Sequence, residues 1–232
     1  MKIALLGYGK MGKAIERIAS EQGHQIVVAT TDSDHLTSFN GADVAIDFSV
    51  PSAAFKNCTL AIDAGVPVIS GTTGWLANYD ELVAYCVQND GAFLYASNFS
   101  LGVNIFFAIN EQLAKLMGDT QYTVQMQEIH HTQKLDAPSG TAITLAQEII
   151  DNTSYTEWSL EANKENSIHI EAIREGDVKG THNIAYSSPE DTISISHEAH
   201  SRDGFAKGAI AAAAWIIDKK GIFTMKDVLN IR

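Results

Sequence analysis

Between Lys2 and Tyr95 the chain alternates short runs that are apolar at nearly every position with longer stretches that are apolar on one side only. The short runs are Lys2–Leu6, Gln25–Thr30, Val44–Asp47, Val66–Ser70 and Ala92–Tyr95. The longer stretches carry Met11, Ile15 and Ile18-Ala19 before Gln22-Gly23, open near Pro51, or run over Trp75–Asp90. A strand apolar on both sides must be covered on both faces, and parallel strands need a crossover to join them. The pattern predicts a parallel sheet wrapped by helices, with a proline well placed in the first turn of the second.

The pattern then changes. Leu101–Met117 reads as a helix and Gln121–Ile129 alternates like a strand. Thr141–Ile150 sets Ala142, Leu145, Ala146 and Ile149 at helical spacing. Ser167–Arg174, Thr181–Tyr186 and Thr192–Glu198 read as three antiparallel strands, joined through Glu175-Gly176-Asp177 and Ser187–Asp191. A final Ala-rich helix over Phe205–Lys219 suits a face of the first sheet. Two domains are therefore expected: residues 1–99 with 205–232, and residues 100–204.

Sixteen Lys and Arg stand against 28 Asp and Glu, a net charge of −12. That balance argues against a nucleic-acid partner or an anionic membrane, since both need a basic patch. No apolar stretch approaches the ~20 residues of a membrane span. Met1-Lys2 leads straight into a strand, which leaves no signal-peptide pattern. Cys58 and Cys86 sit alone in apolar helical patterns, as buried thiols do in a reducing cytoplasm. A cytoplasmic protein is expected.

Gly7-Tyr8-Gly9-Lys10-Met11-Gly12 falls between the first strand and the first helix. There the first glycine permits a tight turn, the second lets backbone approach a pyrophosphate, and the third lets helix and strand pack closely. An acid some 20 residues on would hold the adenosine ribose. After Thr30-Thr31 the candidate is Asp32. No Lys or Arg lies between Arg17 and Lys56 to meet a 2′-phosphate, although Lys10 or Lys13 could. NADH is expected to serve at least as well as NADPH.

The densest polar segment runs Glu128-Ile129-His130-His131-Thr132-Gln133-Lys134-Leu135-Asp136-Ala137-Pro138-Ser139-Gly140-Thr141-Ala142. Neighbouring histidines on a strand point to opposite faces, so the backbone must leave the strand if both serve one site. Metal-ligand spacing is poor, and no metal is expected. A histidine can donate a proton near neutral pH, and Lys134 adds a fixed positive charge. Ser139, Gly140 and Thr141 precede or open an amphipathic helix, so they form an N-terminal anion cradle suited to a carboxylate.

That segment strongly resembles the signature of the 4-hydroxy-tetrahydrodipicolinate reductase (dihydrodipicolinate reductase) family. GYGKMG, AIDFS, ISGTTGW, ASNFSLGVN, REGDVKGTH and SRDGFAKGA also fit, in order along the whole chain. The resemblance implies an α/β protein: a Rossmann-like dinucleotide-binding domain plus an α+β domain with a mixed, largely antiparallel sheet that builds a homotetramer. It implies NADH or NADPH as cofactor, with Gly7 to Gly12 on the pyrophosphate. Gly71, Thr72, Thr73, Ala96, Ser97, Asn98 and Phe99 would line the nicotinamide end. His130 matches the family's proton donor/acceptor and Lys134 its proton donor, while His131, Lys134, Gly140 and Thr141 match the binders of a cyclic dicarboxylate. The implied reaction is hydride transfer to the substrate ring followed by protonation, in diaminopimelate and lysine biosynthesis. Two departures stand out: shorter loops between Thr30 and Val44 and between Asp151 and Ser167, and Thr30-Thr31 where many relatives have an acid. A non-catalytic NAD(P)H sensor is disfavoured by His130, His131, Lys134 and the Ser139–Thr141 cradle together. A semialdehyde dehydrogenase is disfavoured because neither cysteine lies near a motif. A related reductase acting on another small dicarboxylate remains open at this point.

Overall fold

Six parallel strands make the first sheet of the computed structural model, which describes residues 1–32 and 36–231. They are β1 (Lys2–Leu6), β2 (Gln25–Thr30), β3 (Val44–Asp47), β4 (Val68–Ser70), β5 (Ala92–Tyr95) and β11 (Gly221–Phe223), in the order β11-β5-β4-β3-β1-β2. Helices α1 (Lys10–Glu21), α2 (Pro51–Asp63), α3 (Tyr79–Gln88), α6 (Asp203–Ile216) and α7 (Met225–Val228) complete this unit, which comprises Met1–Leu101 and the chain from Asp203 onward. Ile3, Leu5 and Ile46 pack with α1 and α6 on one face, while Ala4, Leu6 and Ala45 pack with α2 and α3 on the other. That two-sided burial is why the strands are apolar throughout.

Two expected elements are shorter. Val66-Pro67 lies outside β4, and Pro67 has no N–H to contribute to a sheet. The stretch from Trp75 begins with a 3₁₀ turn at Leu76–Asn78 before α3 starts, with the Trp75 indole donating to the Thr72 carbonyl at 2.7 Å.

Gly102–Arg202 forms the second unit. Its strands are β6 (Thr123–His130), β7 (Glu157–Ser159), β8 (Ser167–Arg174), β9 (Thr181–Ser187) and β10 (Thr192–Glu198), in the order β10-β9-β6-β8-β7. Its helices are α4 (Leu101–Met117, which begins at the boundary) and α5 (Gly140–Ile150). Phe106, Ala114, Leu145 and Ile149 pack there with Val124, Met126, Ile168, Ile170, Ile184 and Tyr186.

The expected run of three consecutive antiparallel strands is corrected here. β6 lies between β8 and β9, parallel to the first and antiparallel to the second, and only β9 and β10 form a hairpin. The turn after β8 passes over the end of β6 instead, where the Glu175 N–H donates to the His130 carbonyl at 2.8 Å.

Candidate active site

Two sites occur, one in each unit. In the first, Gly7 has φ +104°, and a Cβ there would sit 2.1 Å from the Phe48 carbonyl oxygen. A Cβ on Gly12 would sit 2.3 Å from the carbonyl oxygen of Gly7. Both glycines are therefore forced by close packing. Gly9 is different: it is the N-cap of α1, and a Cβ on it would meet nothing within 4 Å. The backbone N–H groups at the start of α1 are thus left approachable, which fits the phosphates of a dinucleotide. Lys10 and Met11 follow in the first turn of the helix, with Lys10 exposed, and the Lys13 ammonium lies 5.9 Å from the centre of the Tyr8 ring.

A cleft beside the turn is lined by Gly7, Thr31, Asp32, Ser49 and Lys56 among others. The tally of cations after β2 stopped at Lys56, yet α2 brings Lys56 itself to the cleft that holds Asp32.

Beneath the loops that follow β3 and β4 lies a wholly buried carboxylate, Asp47. It accepts hydrogen bonds from Ser49 Oγ (2.6 Å), Asn57 Nδ2 (2.7 Å), Ser70 Oγ (2.7 Å) and Thr72 Oγ1 (2.7 Å). Burial pushes the Asp47 carboxyl up in pKa, against the pull of these donors. Thr72 is thereby turned inward, while Thr73 is exposed and Gly71 packs its backbone on the Phe48 ring. Ala96, Ser97 and Asn98 stay accessible, with Asn98 Oδ1 accepting the Ser100 N–H, but the Phe99 side chain is 1% exposed and packs against Phe48 in the core.

The second site occupies one end of the second sheet. Val124, Met126, Glu128 and His130 alternate along β6 toward the helix-covered face, and the apolar rows give way there to His182 opposite Glu128 and Arg174 opposite His130. Glu128 is wholly buried. Its Oε1 accepts from Arg174 Nη2 at 2.7 Å and from the Ser139 N–H at 3.2 Å, and its Oε2 contacts His130 Nδ1. Burial pushes the Glu128 carboxyl up, but His130 and Arg174 outweigh it and hold the pKa at about 2. His182 crosses the His130 ring at 73°, with centroids 5.2 Å apart. Burial lowers its pKa to about 4, so at neutral pH it is an uncharged ring. A ligand atom from each of Glu128, His130 and His182 lies within 4.8 Å of the others, and His130 Nδ1 is in close contact with Glu128 Oε2.

The strand ends at His130, so His131 leaves the sheet: it is half-buried, with Nε2 3.1 Å from Arg202, and it shares an open pocket with Lys179. Lys134 pairs with both oxygens of Asp136, at 2.8 and 2.7 Å. Ser139 caps α5 by accepting the Ala142 N–H at 3.2 Å, its hydroxyl lies 3.1 Å from His182 Nε2, and its own N–H goes to Glu128. At 3% exposure it is engaged inside the protein and lies beneath the cradle. Gly140 and Thr141 are the accessible part, and a Cβ on Gly140 would meet nothing within 4 Å. Glu128 stands in the segment read from the sequence but was given no role there, and Arg174 and His182 were not singled out, because only strand order brings them to it.

A glycine turn opens the parallel sheet of one unit, and a histidine, a lysine and a capped helix start stand at one end of the sheet of the other, an arrangement that suits an oxidoreductase with a dinucleotide-binding unit. Residues 1–99 match the family "Dihydrodipicolinate reductase, N-terminus", and residues 102–229 match "Dihydrodipicolinate reductase, C-terminus". The chain belongs to the dihydrodipicolinate reductase family. It is 53% identical to the 4-hydroxy-tetrahydrodipicolinate reductase of Christiangramia forsetii, over 99% of this chain and 98% of that one. With the enzyme of the same name from Methanoregula boonei it shares 34% identity over 99% and 98% of the two chains. The fold is similar to a dipicolinate-bound dihydrodipicolinate reductase from a Paenisporosarcina species, with TM-score 0.80 at 21% identity, covering 100% and 99% of the two chains.

Proposed function

We propose that the protein reduces 4-hydroxy-tetrahydrodipicolinate to tetrahydrodipicolinate with NADH or NADPH, a step of diaminopimelate and lysine biosynthesis in the cytoplasm. The observation that carries the reading is the end of β6, where a histidine held by a buried carboxylate adjoins a lysine and an accessible helix N-terminus.

Gly7 to Gly12 and Asp32 would hold the cofactor, together with the loops at Gly71–Thr73 and Ala96–Asn98. When bound, the reduced nicotinamide supplies a hydride. The chain's own residues do the rest. His131, Gly140, Thr141 and the Lys134 ammonium bind the substrate's carboxylates and orient the ring, which is how positioning lowers a barrier. Binding a carboxylate at Lys134 requires its pairing with Asp136 to loosen. Loss of the ring hydroxyl with a neighbouring proton, as water, leaves a conjugated imine; once hydride has added to it, His130, with Lys134, delivers a proton to the carbanion-like (enamine) ring position. Cys58 and Cys86 are buried and free, as a reducing compartment allows.

The test is steady-state kinetics with freshly generated substrate and both cofactors. His130→Gln should lower kcat by ~10²–10⁴-fold, the usual range for a lost proton donor, and leave cofactor affinity intact. Lys134→Ala should damage both kcat and KM, because its charge serves two tasks. If His130→Gln keeps near-normal kcat, the segment is a carboxylate clamp and no more.

A further inference from the structure

We infer that Glu128 is the positioning residue for proton delivery: it holds the proton of His130 on Nδ1 and leaves Nε2 as the nitrogen that faces substrate. The inference rests on the proposed reductase reaction for its kinetic consequence, but its structural content stands apart from that reaction.

An imidazole has two nitrogens, and whichever one is hydrogen-bonded to a fixed acceptor keeps its proton. Oε2 of Glu128 contacts Nδ1. The carboxylate cannot turn away, because its other oxygen is gripped by Arg174 from β8 and by the Ser139 N–H at the entrance to α5. Arg174 is itself anchored, with Nη2 2.6 Å from the Asp136 carbonyl and Nη1 2.8 Å from the Ile173 carbonyl. Gly180 backs onto the other nitrogen without a side chain to crowd it: a Cβ there would lie 3.1 Å from His130 Nε2. Nδ1 faces inward onto a fixed anion, and Nε2 faces a position with no side chain.

The same carboxylate ties together the proton donor and the helix start that receives the substrate's carboxylates. Displacing Glu128 should therefore disturb proton delivery first. The charged and titratable groups around His130 are Glu128 on its own strand, Arg174 from β8, His182 from β9, and Lys134 and Asp136 in the following loop. His182 is neutral and Arg174 is committed to Glu128, so Glu128 is the acceptor that fixes Nδ1 of the ring.

Glu128→Gln is the diagnostic variant, since it keeps size and removes charge. A glutamine faces three donors and must aim its own NH₂ at one of them. The expected result is a fall in kcat of ~10²-fold or more, of the kind seen when an orienting carboxylate is neutralised. Glu128→Asp, with the charge kept, should recover part of the rate. Cofactor affinity by fluorescence should be unchanged in both, which a merely structural role would not predict. NMR of isotope-labelled histidine on the apo protein should show the neutral His130 protonated on Nδ1 in the wild type and a mixture of tautomers in Glu128→Gln. Unchanged kcat in Glu128→Gln, an unchanged tautomer, or a parallel loss of cofactor affinity would overturn the inference. If the wild-type protein turns over neither cofactor, the reductase reading fails, and the tautomer measurement still decides this one.

Discussion

Among the described residues two carboxylates, Asp47 and Glu128, are wholly buried, and their surroundings set them apart. Asp47 meets only hydroxyls and an amide, so burial prevails and its pKa rises. Glu128 meets a guanidinium and an imidazole, so it stays ionised down to about pH 2. A carboxylate whose folded pKa lies below its ordinary 4.5 adds stability above that value, and this is lost as pH falls from 4.5 toward 2. His182 acts earlier. Its pKa in the fold, about 4, lies below the ordinary 6.5, so between those values the unfolded chain takes up the proton and stability falls with falling pH. At 1.36 kcal/mol per unit, the loss over that window is about 3 kcal/mol. His182→Gln should therefore flatten the decline in Tm between pH 7 and pH 4.5 while lowering Tm at pH 7. Calorimetric melts across that range check it, and a decline as steep as in the wild type would remove His182 from the account.

At the scale of elements, legibility followed burial. β1 to β5 could be read because a strand covered on both faces is apolar at every position, and α5 because its stripe recurs at helical spacing. β7 and β11 could not: each has three residues and exists through pairing with β8 and β5. The site divides the same way. His130, Lys134 and the Ser139–Thr141 cap are contiguous and could be found, whereas Arg174, 46 residues beyond Glu128, reaches it only because β6 separates β8 from β9. Lys56 is the equivalent case in the first unit. From α2 it lines the same cleft as Asp32. We propose that in a cofactor complex Asp32 would accept from the ribose hydroxyls and Lys56 would meet a 2′-phosphate. Lys56→Ala should raise KM for NADPH by roughly ten-fold, the worth of one charge-assisted contact, with a smaller effect on NADH. Asp32→Ala should weaken NADH more than NADPH. Paired kinetics with the two cofactors decides it, and equal changes for both would exclude Lys56 as a reader of the phosphate.

For the whole molecule, the open question is what meets the uncovered face of the second sheet. Helices cover one face, where Ile168 and Ile170 are fully buried, but the edge strand β10 leaves Ile193 41% exposed. The opposite face carries a chain of side-chain hydrogen bonds across four strands: Ser196 to Asn183 at 2.6 Å, Asn183 to Gln127 at 3.0 Å, and Gln127 to Glu171 at 2.7 Å. Side chains tied to one another in this way lie across the pleat and present a flat, preorganised polar surface, which costs little further side-chain entropy when another such surface meets it. We propose that copies of this chain associate through that face into the homotetramer the family resemblance implies. Light scattering at micromolar concentration should report four chains. Gln127→Glu sets a second carboxylate opposite Glu171 at the centre of the face, leaving negative charge with no partner where an identical copy must be buried against it, so it should reduce the assembly to smaller species. Cofactor affinity should persist, because the glycine turn and the Asp47 cluster belong to the other unit. A wild-type monomer would refute the assembly, and a tetramer that survives Gln127→Glu would move the contact elsewhere on the chain.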